Sequence, residues 1–378
     1  MPHPGEPLSQ NATPLPDLTR YRAIDGFRFI AALGIVLHHY TRYSDNDIWK
    51  GLFAKNYLFV DLFFVISGFV IMLAYGKGLK TLDDFMSFLQ NRLARIYPLH
   101  LLMFLAFLAI NAAAWAGLYH PHEVHIYDPA EIAANLFLVQ AWGATQRLSF
   151  NYPSWSISAE WMLYILFPAV AFAMRRGGPS AMFGLAGLAL LALEALNATG
   201  RLGTWTELTY QLGYLRAVPT FLIGAGLCCA IDRCALLFTS FIWPWAFFLC
   251  AIVLMPLHAN DHLIIALFVL TVASATGAER AGAKGFLTGP LMGRLGDWSY
   301  ALYMIHALVG SLIVATIGPR LLHLQGVAQD IYILACIVLC TGVSALVYRF
   351  FEVPARRLLR HRGAAKARPA EAIAAAQS

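Results

Sequence analysis

The sequence predicts an all-α fold, a polytopic membrane helix bundle of about ten transmembrane helices with both termini cytoplasmic. Composition is the first ground: of 378 residues, 59% are hydrophobic and 13% charged, with mean hydropathy +0.61, whereas a soluble domain carries about a quarter charged residues. The second is length, because about ten apolar stretches approach the roughly 20 residues that cross about 30 Å of hydrocarbon as a helix. The third is charge placement. Lys and Arg cluster between alternate pairs of apolar stretches, as the positive-inside rule requires. The net charge of +6 has this origin, so it implies no nucleic-acid partner.

Residues 1–20 are polar and proline-rich and are read as a disordered cytoplasmic arm. The expected spans are 25–43, 57–76, 97–118, 155–174, 180–198, 211–231, 236–257, 262–279, 298–317 and 331–351. The first is weak by hydropathy, being unbroken only over 29–37. Between the second and third, residues 81–95 have the pattern of an amphipathic interfacial helix ending in Arg92-Leu-Ala-Arg95. The longest external connection, 119–154, begins with His120, His122 and His125. That cluster is read as a polar loop rather than a zinc site, so no metal is expected. The six cysteines lie in or beside apolar runs without metal-type spacing and are expected as buried free thiols. Residues 21–357 thus form the transmembrane domain, and 358–378 a basic, alanine-rich cytoplasmic tail. The basic side carries Arg20, Arg22, Lys77, Lys80, Arg92, Arg95 and the Arg356–Arg368 run, and is assigned to the cytoplasm.

Ionisable residues at membrane depth are costly and mark functional sites. Arg28 and His39, in DGFRFIAALGIVLHHYTRY at 25–43, are separated by about three helical turns. They fall within roughly 20° of one face and about 16 Å apart along the axis, while His38 falls roughly 80° away. One face of the first helix therefore bears a fixed cation at one end and a titratable imidazole at the other. Asp61 lies about one turn inside the second span and Glu160 two turns into the fourth. Arg92 and Arg95 present two guanidiniums from nearly one face, a geometry suited to phosphates or to lipid headgroups. Ser299, Tyr303 and His306, at offsets of four and seven residues, share a helix face and are candidate pore-lining hydrogen-bonding groups.

Five stretches, taken together, resemble the acyltransferase-3 family of integral membrane acyltransferases. They are Asp25-Gly with Arg28 and His39; Phe59-Val-Asp-Leu-Phe-Phe-Val-Ile-Ser-Gly-Phe69; Arg92-x-x-Arg95; Pro153-Ser-Trp-Ser-Ile-Ser-Ala-Glu-Trp161; and Gly296-Asp-Trp-Ser-Tyr-Ala-Leu-Tyr-Met-Ile-His306. Phe351-Glu-Val-Pro354 closes the last helix as in that family, and Glu352 is read as a partner of nearby basic residues. Trp161 and Met162 replace residues that the family usually has after Glu160. The resemblance implies a multi-pass protein of a bacterial-type inner or plasma membrane. Its expected activity moves an acyl group, acetyl foremost, from cytoplasmic acyl-coenzyme A (acetyl-coenzyme A as co-substrate) to a hydroxyl of an extracytoplasmic or membrane-associated glycan or glycolipid. It further implies His39 as the essential catalytic residue, with Asp61 or Glu160 orienting it, and Arg28, Arg92 and Arg95 as donor-binding residues. His39 serves as a base or is transiently acylated. The alternative class is a transporter or flippase of a charged glycolipid, with the same residues lining a pathway.

Overall fold

The computed structural model describes residues 20–117 and 129–359. Its helices are α1 (Arg22–Tyr40), α2 (Asp47–Phe53), α3 (Phe59–Tyr75), α4 (Leu82–Trp115), α5 (Pro129–Leu136), α6 (Trp155–Ala198), α7 (Gly213–Cys229), α8 (Ile231–Leu237), α9 (Ile242–Leu254), α10 (Asp261–Arg280), α11 (Pro290–Val309), α12 (Gly326–Val347) and α13 (Val353–Leu359). No strand occurs among the described residues. The His120, His122 and His125 cluster, most of the basic tail and all but the last residue of the N-terminal arm lie outside them.

All ten expected stretches are helical over most of their length. By length and apolarity, six helices among the described residues can cross a membrane, or up to seven if α7 and α8, bent by 76° to each other, make one span. The expected ten therefore needs correcting on this measure, for three physical reasons. Helix α1 carries Asp25, Arg28 and two histidines, which dilute its apolar run. Helix α9 has only 13 residues. The expected spans 155–174 and 180–198 follow one another within the 44 residues of α6 and are parted by a break at Gly178, whose φ of 59° is open to glycine, with Pro179 after it, so they register there as one length of helix. A second correction concerns 81–95. These residues are no separate interfacial helix but the first turns of α4, which continues through Pro98 to Trp115. A capping box starts it: Asp84 N donates to Thr81 Oγ1 at 3.1 Å, and Thr81 N donates to the Asp84 carboxylate at 2.8 Å.

The bundle is arranged as lipid requires, with small residues between helices and large apolar side chains outside. Gly68 of α3 and Gly224 of α7 lie against one another's backbones. A Cβ at Gly68 would fall 1.9 Å from the Phe221 carbonyl oxygen, and one at Gly224 1.9 Å from that of Val65. Leu188, Leu249, Val253 and Val338 project outward from the bundle. Among the cysteines, Cys234, Cys336 and Cys340 are buried, Cys228 and Cys229 half-buried and Cys250 exposed; none is in a disulfide.

Side-chain bonds sort the connections into two ends. At one end, Lys55 and Tyr57 reach Asp261 at 2.6 and 2.7 Å, Thr206 reaches it at 2.7 Å, and Ser44 bonds Asp330 at 2.5 Å. At the other, Arg20 binds Asp25 and Asp297 at 2.6 and 2.8 Å, Arg280 binds Asp232 at 3.0 Å, and Arg95 pairs with Glu352. The second end holds the Lys/Arg-rich segments. The positive-inside rule predicts that it faces the cytoplasm. In a background lacking the six native cysteines, Asp47→Cys is expected to react with an impermeant thiol reagent on sealed cells and Lys80→Cys is not. Labelling at position 80 alone reverses the orientation.

Candidate active site

Helix α1 carries the site along one face. Toward its start, Arg28 opens into a cavity of about 130 Å3 lined also by Ser67, Arg92, Arg95, Glu160, Tyr164 and Ser299. Toward its end, His39 opens into a cavity of about 480 Å3 with Arg42, Tyr57, Tyr152, Glu207 and Arg216. The cation and the imidazole thus serve separate chambers, one toward each end of the bundle. Helix α11 runs beside α1, but of its expected pore-lining groups only Ser299 and Tyr303 reach a chamber; His306 is wholly buried and lines neither. Ser299 faces the first cavity, Tyr303 lines both, and His306 stacks on His39 with ring centroids 5.2 Å apart and planes within 17°.

The two adjacent histidines have different surroundings. Phe53 O, 2.9 Å from His38 Nδ1, can only accept, so that nitrogen carries the proton; Arg42 then donates to Nε2 at 3.0 Å. His38 is therefore held as a structural group. His39 has a buried Nδ1 without a hydrogen-bond partner among the described residues. Its ring is flanked by His306 and by the edge of Tyr152, at 4.7 Å. His306 is wholly buried. Its Nδ1 lies 2.6 Å from the Tyr303 carbonyl, which fixes the proton there and leaves Nε2 bare and without a partner among the described residues.

Neither carboxylate expected to orient His39 is in contact with it. Asp61 is completely buried and held by Arg216, whose Nε and NH2 donate to its two oxygens at 3.1 and 2.6 Å. Arg216 lies further over the Trp155 ring at 5.3 Å and the Tyr57 ring at 5.6 Å. A carboxylate this deep takes the nearest guanidinium, because an unpaired buried charge is far costlier than a neutral imidazole left without help. Glu160 accepts a hydrogen bond from Ser67 and faces the cation-lined cavity, not the histidines. The sequence expectation put Asp61 and Glu160 at the depth of His39. Depth alone was a poor guide, since helix rotation decides which chamber a side chain enters.

The arginines are deeper than a cytoplasmic surface site would be. Arg92 and Arg95 are each 9% exposed. Arg95 forms a buried ion pair with Glu352, the partner role expected of that glutamate. Arg92 donates to the Tyr75 hydroxyl at 3.1 Å and stacks on its ring at 5.1 Å. Its buried Nε has no partner among the described residues. Arg28 has only a 3.7 Å contact to Asp25, which Arg20 holds more closely. Arg28 and Arg92 are thus the weakly compensated cations of this cavity. Sequence reasoning missed Arg216, Ser67, Ser156 and Tyr152 as site residues. For Arg216 the signal was available, an arginine inside the apolar run 211–231. No group of three potential metal ligands occurs among the described residues.

The pairing of Asp61 with Arg216 generates a test. Asp61→Leu or Arg216→Leu alone should lower stability in detergent by about 3–5 kcal/mol, because each strands a buried charge. The double variant should recover most of that loss. A double variant as unstable as the sum of the singles would mean that the two residues act independently.

Comparison with known proteins follows this geometry. Residues 21–349 match the acyltransferase domain family designated acyltransferase 3. The chain is 24% identical over 390 residues to the acyltransferase MdmB of Streptomyces mycarofaciens, covering 92% of this chain and 94% of that protein. It is 35% identical over 177 residues to protein 2 of the picA locus of Rhizobium radiobacter, covering 43% of this chain and 85% of that one. It is 26% identical over 374 residues to the O-acetyltransferase OatA of Staphylococcus aureus, covering 88% of this chain but only 57% of OatA. No solved structure matches. With apolar helices, two facing chambers and a family match across nearly the whole chain, this protein belongs to the acyltransferase-3 family and is a membrane acyltransferase.

Proposed function

We propose that the protein transfers an acyl group, acetyl foremost, from cytoplasmic acyl-coenzyme A to a hydroxyl of a glycan or glycolipid on or beyond the other face of an inner or plasma membrane. The observation that carries this reading is the division of labour along α1: weakly compensated cations in one chamber and an unpartnered imidazole in the other. The relatives MdmB and OatA, named as an acyltransferase and an O-acetyltransferase, support the reaction class.

In this mechanism Arg28 and Arg92 hold the donor's anionic groups, and the thioester end enters the bundle. Arg95, neutralised by Glu352, shapes the cavity and adds less charge to it. The acceptor occupies the larger chamber with its hydroxyl on His39. His39 accepts that proton as the oxygen attacks the thioester carbonyl. The new C–O bond forms, the C–S bond breaks, and the proton passes from His39 to the departing thiolate. A neutral imidazole is the right group for a step that both takes and returns a proton near neutral pH. Stacking on His306 holds the ring in place, and Asp61 contributes through Arg216 to the shape of the chamber rather than to proton transfer.

Two outcomes test the assignment. His39→Ala should lower the rate by about 10²–10⁴-fold, the contribution of a general base. His38→Ala should cost far less at matched expression, its role being to hold Phe53 and Arg42. Equal losses would refute the choice between them. Arg92→Ala should raise the donor KM by roughly ten- to a hundred-fold, the loss of a charge-assisted contact worth about 1.5–3 kcal/mol. High acyl-coenzyme A should restore its rate. Arg95→Ala should instead reduce the yield of folded protein, since it strands Glu352. An unchanged donor KM in Arg92→Ala would move the donor site elsewhere. Initial rates against donor concentration in liposomes provide the measurement.

A further inference from the structure

Among the described residues, Tyr303 is the one side chain that lines both chambers. It is not loosely placed. Its hydroxyl lies 2.8 Å from Ser156 Oγ and donates to the Pro153 carbonyl at 3.1 Å. The Phe63 ring packs against the Tyr303 ring at an interplanar angle of 72°, with centroids 5.6 Å apart. At the next residue of α11, Asn151 fixes the Met304 carbonyl at 3.1 Å, and nearly one turn on Tyr40 fixes that of His306 at 2.9 Å, so the backbone under the ring is held as well. The phenol therefore stands where the two chambers meet, 7% exposed, and forms part of the wall of each.

A donor whose charged end sits at Arg28 and Arg92 would bring its acyl end against this ring. The first chamber, at about 130 Å3, has room for roughly ten waters at one probe sphere each. Phe63, Phe64 and Ile157 close its apolar side. An aromatic wall held by hydrogen bonds and a neighbouring ring rejects each additional methylene by about tenfold or more, as overpacking does elsewhere. We propose that Tyr303, propped by Ser156 and Phe63, is a specificity-determining positioning residue that limits the transferred acyl group to short chains and sets where it meets the acceptor chamber. This rests on the acyltransferase reading given above and specifies the donor class, short-chain acyl-coenzyme A.

The experiment measures coenzyme A thiol release from acetyl-, butyryl-, hexanoyl- and octanoyl-coenzyme A by the full chain in vesicles of its native membrane, which supply the acceptor hydroxyl, against vesicles lacking the protein. Tyr303→Ala is expected to raise the hexanoyl-to-acetyl ratio of kcat/KM by about tenfold or more. Phe63→Ala, which removes the prop and leaves the hydroxyl bonds in place, should shift the ratio in the same direction. Tyr303→Phe keeps the ring and should keep the wild-type ratio, with a lower rate for every donor. Folded Tyr303→Ala and Phe63→Ala proteins that slow all donors by one common factor would overturn the proposal, because a purely structural residue behaves that way. A wild-type protein that releases no thiol from any of the four donors refutes the acyltransfer reading instead. The place of Tyr303 in both walls is then decided by Tyr303→Cys in a background without native cysteines: reaction with a small thiol reagent from both membrane faces supports it, and reaction from one face only rejects it.

Discussion

Everything in this bundle follows from the cost of a charge surrounded by hydrocarbon. An ionised group there must be paired, hydrogen-bonded or opened to a polar chamber. The chain carries its charges through the bundle under that rule. Asp61 is taken by Arg216, Glu352 by Arg95, and Asp25 and Asp297 by Arg20. These pairs tie α3 to α7, α4 to the segment before α13, and the start of α1 to α11. The ion pairs are therefore also the crosslinks that set helix rotation, and helix rotation sets which side chains face the chambers.

Of the groups left over after pairing, Arg28, Arg92 and His39 face the chambers, while His306 is buried behind His39. Arg28 and Arg92 retain charge that no carboxylate closely offsets, and His39 and His306 retain ring nitrogens without partners. Such groups are expensive in a purely structural protein, where each would find a neighbour. Here Arg28 and Arg92 open into one chamber together with Glu160, and His39 opens into the other together with Arg42, Glu207 and the Asp61-paired Arg216. That division matches a reaction whose donor is anionic and whose chemistry is the removal and return of a proton.

Packing makes the division permanent. Where α3 meets α7, Gly68 and Gly224 bring the two backbones into contact, which leaves Ser67 beside Glu160 in the cation chamber. Where α11 meets the Asn151–Pro153 segment, hydrogen bonds from Asn151 and Tyr303 anchor the wall that the chambers share. The apolar exterior supplies no specificity of its own. It surrounds the interior with low dielectric, so that each polar contact inside counts for more.

Much of this was legible in the chain. Membrane embedding, the helical class, the Arg28–His39 face and the Ser299–Tyr303–His306 face all follow from composition and from the 3.6-residue period, which are local properties. The preference for His39 over His38 followed from the same period; in the fold the His38 ring nitrogens contact Phe53 and Arg42, whereas His39 Nδ1 has no partner among the described residues. Partner choice was not legible. That Asp61 would belong to Arg216, 155 residues away, that Glu160 would turn toward Ser67 instead of His39, and that Arg95 but not Arg92 would be neutralised all depend on how helices rotate and approach. The sequence by itself determined which residues are costly in lipid and which helix face each occupies. Only the tertiary structure decided which charges cancel, because pairing between distant segments is set by packing rather than by period.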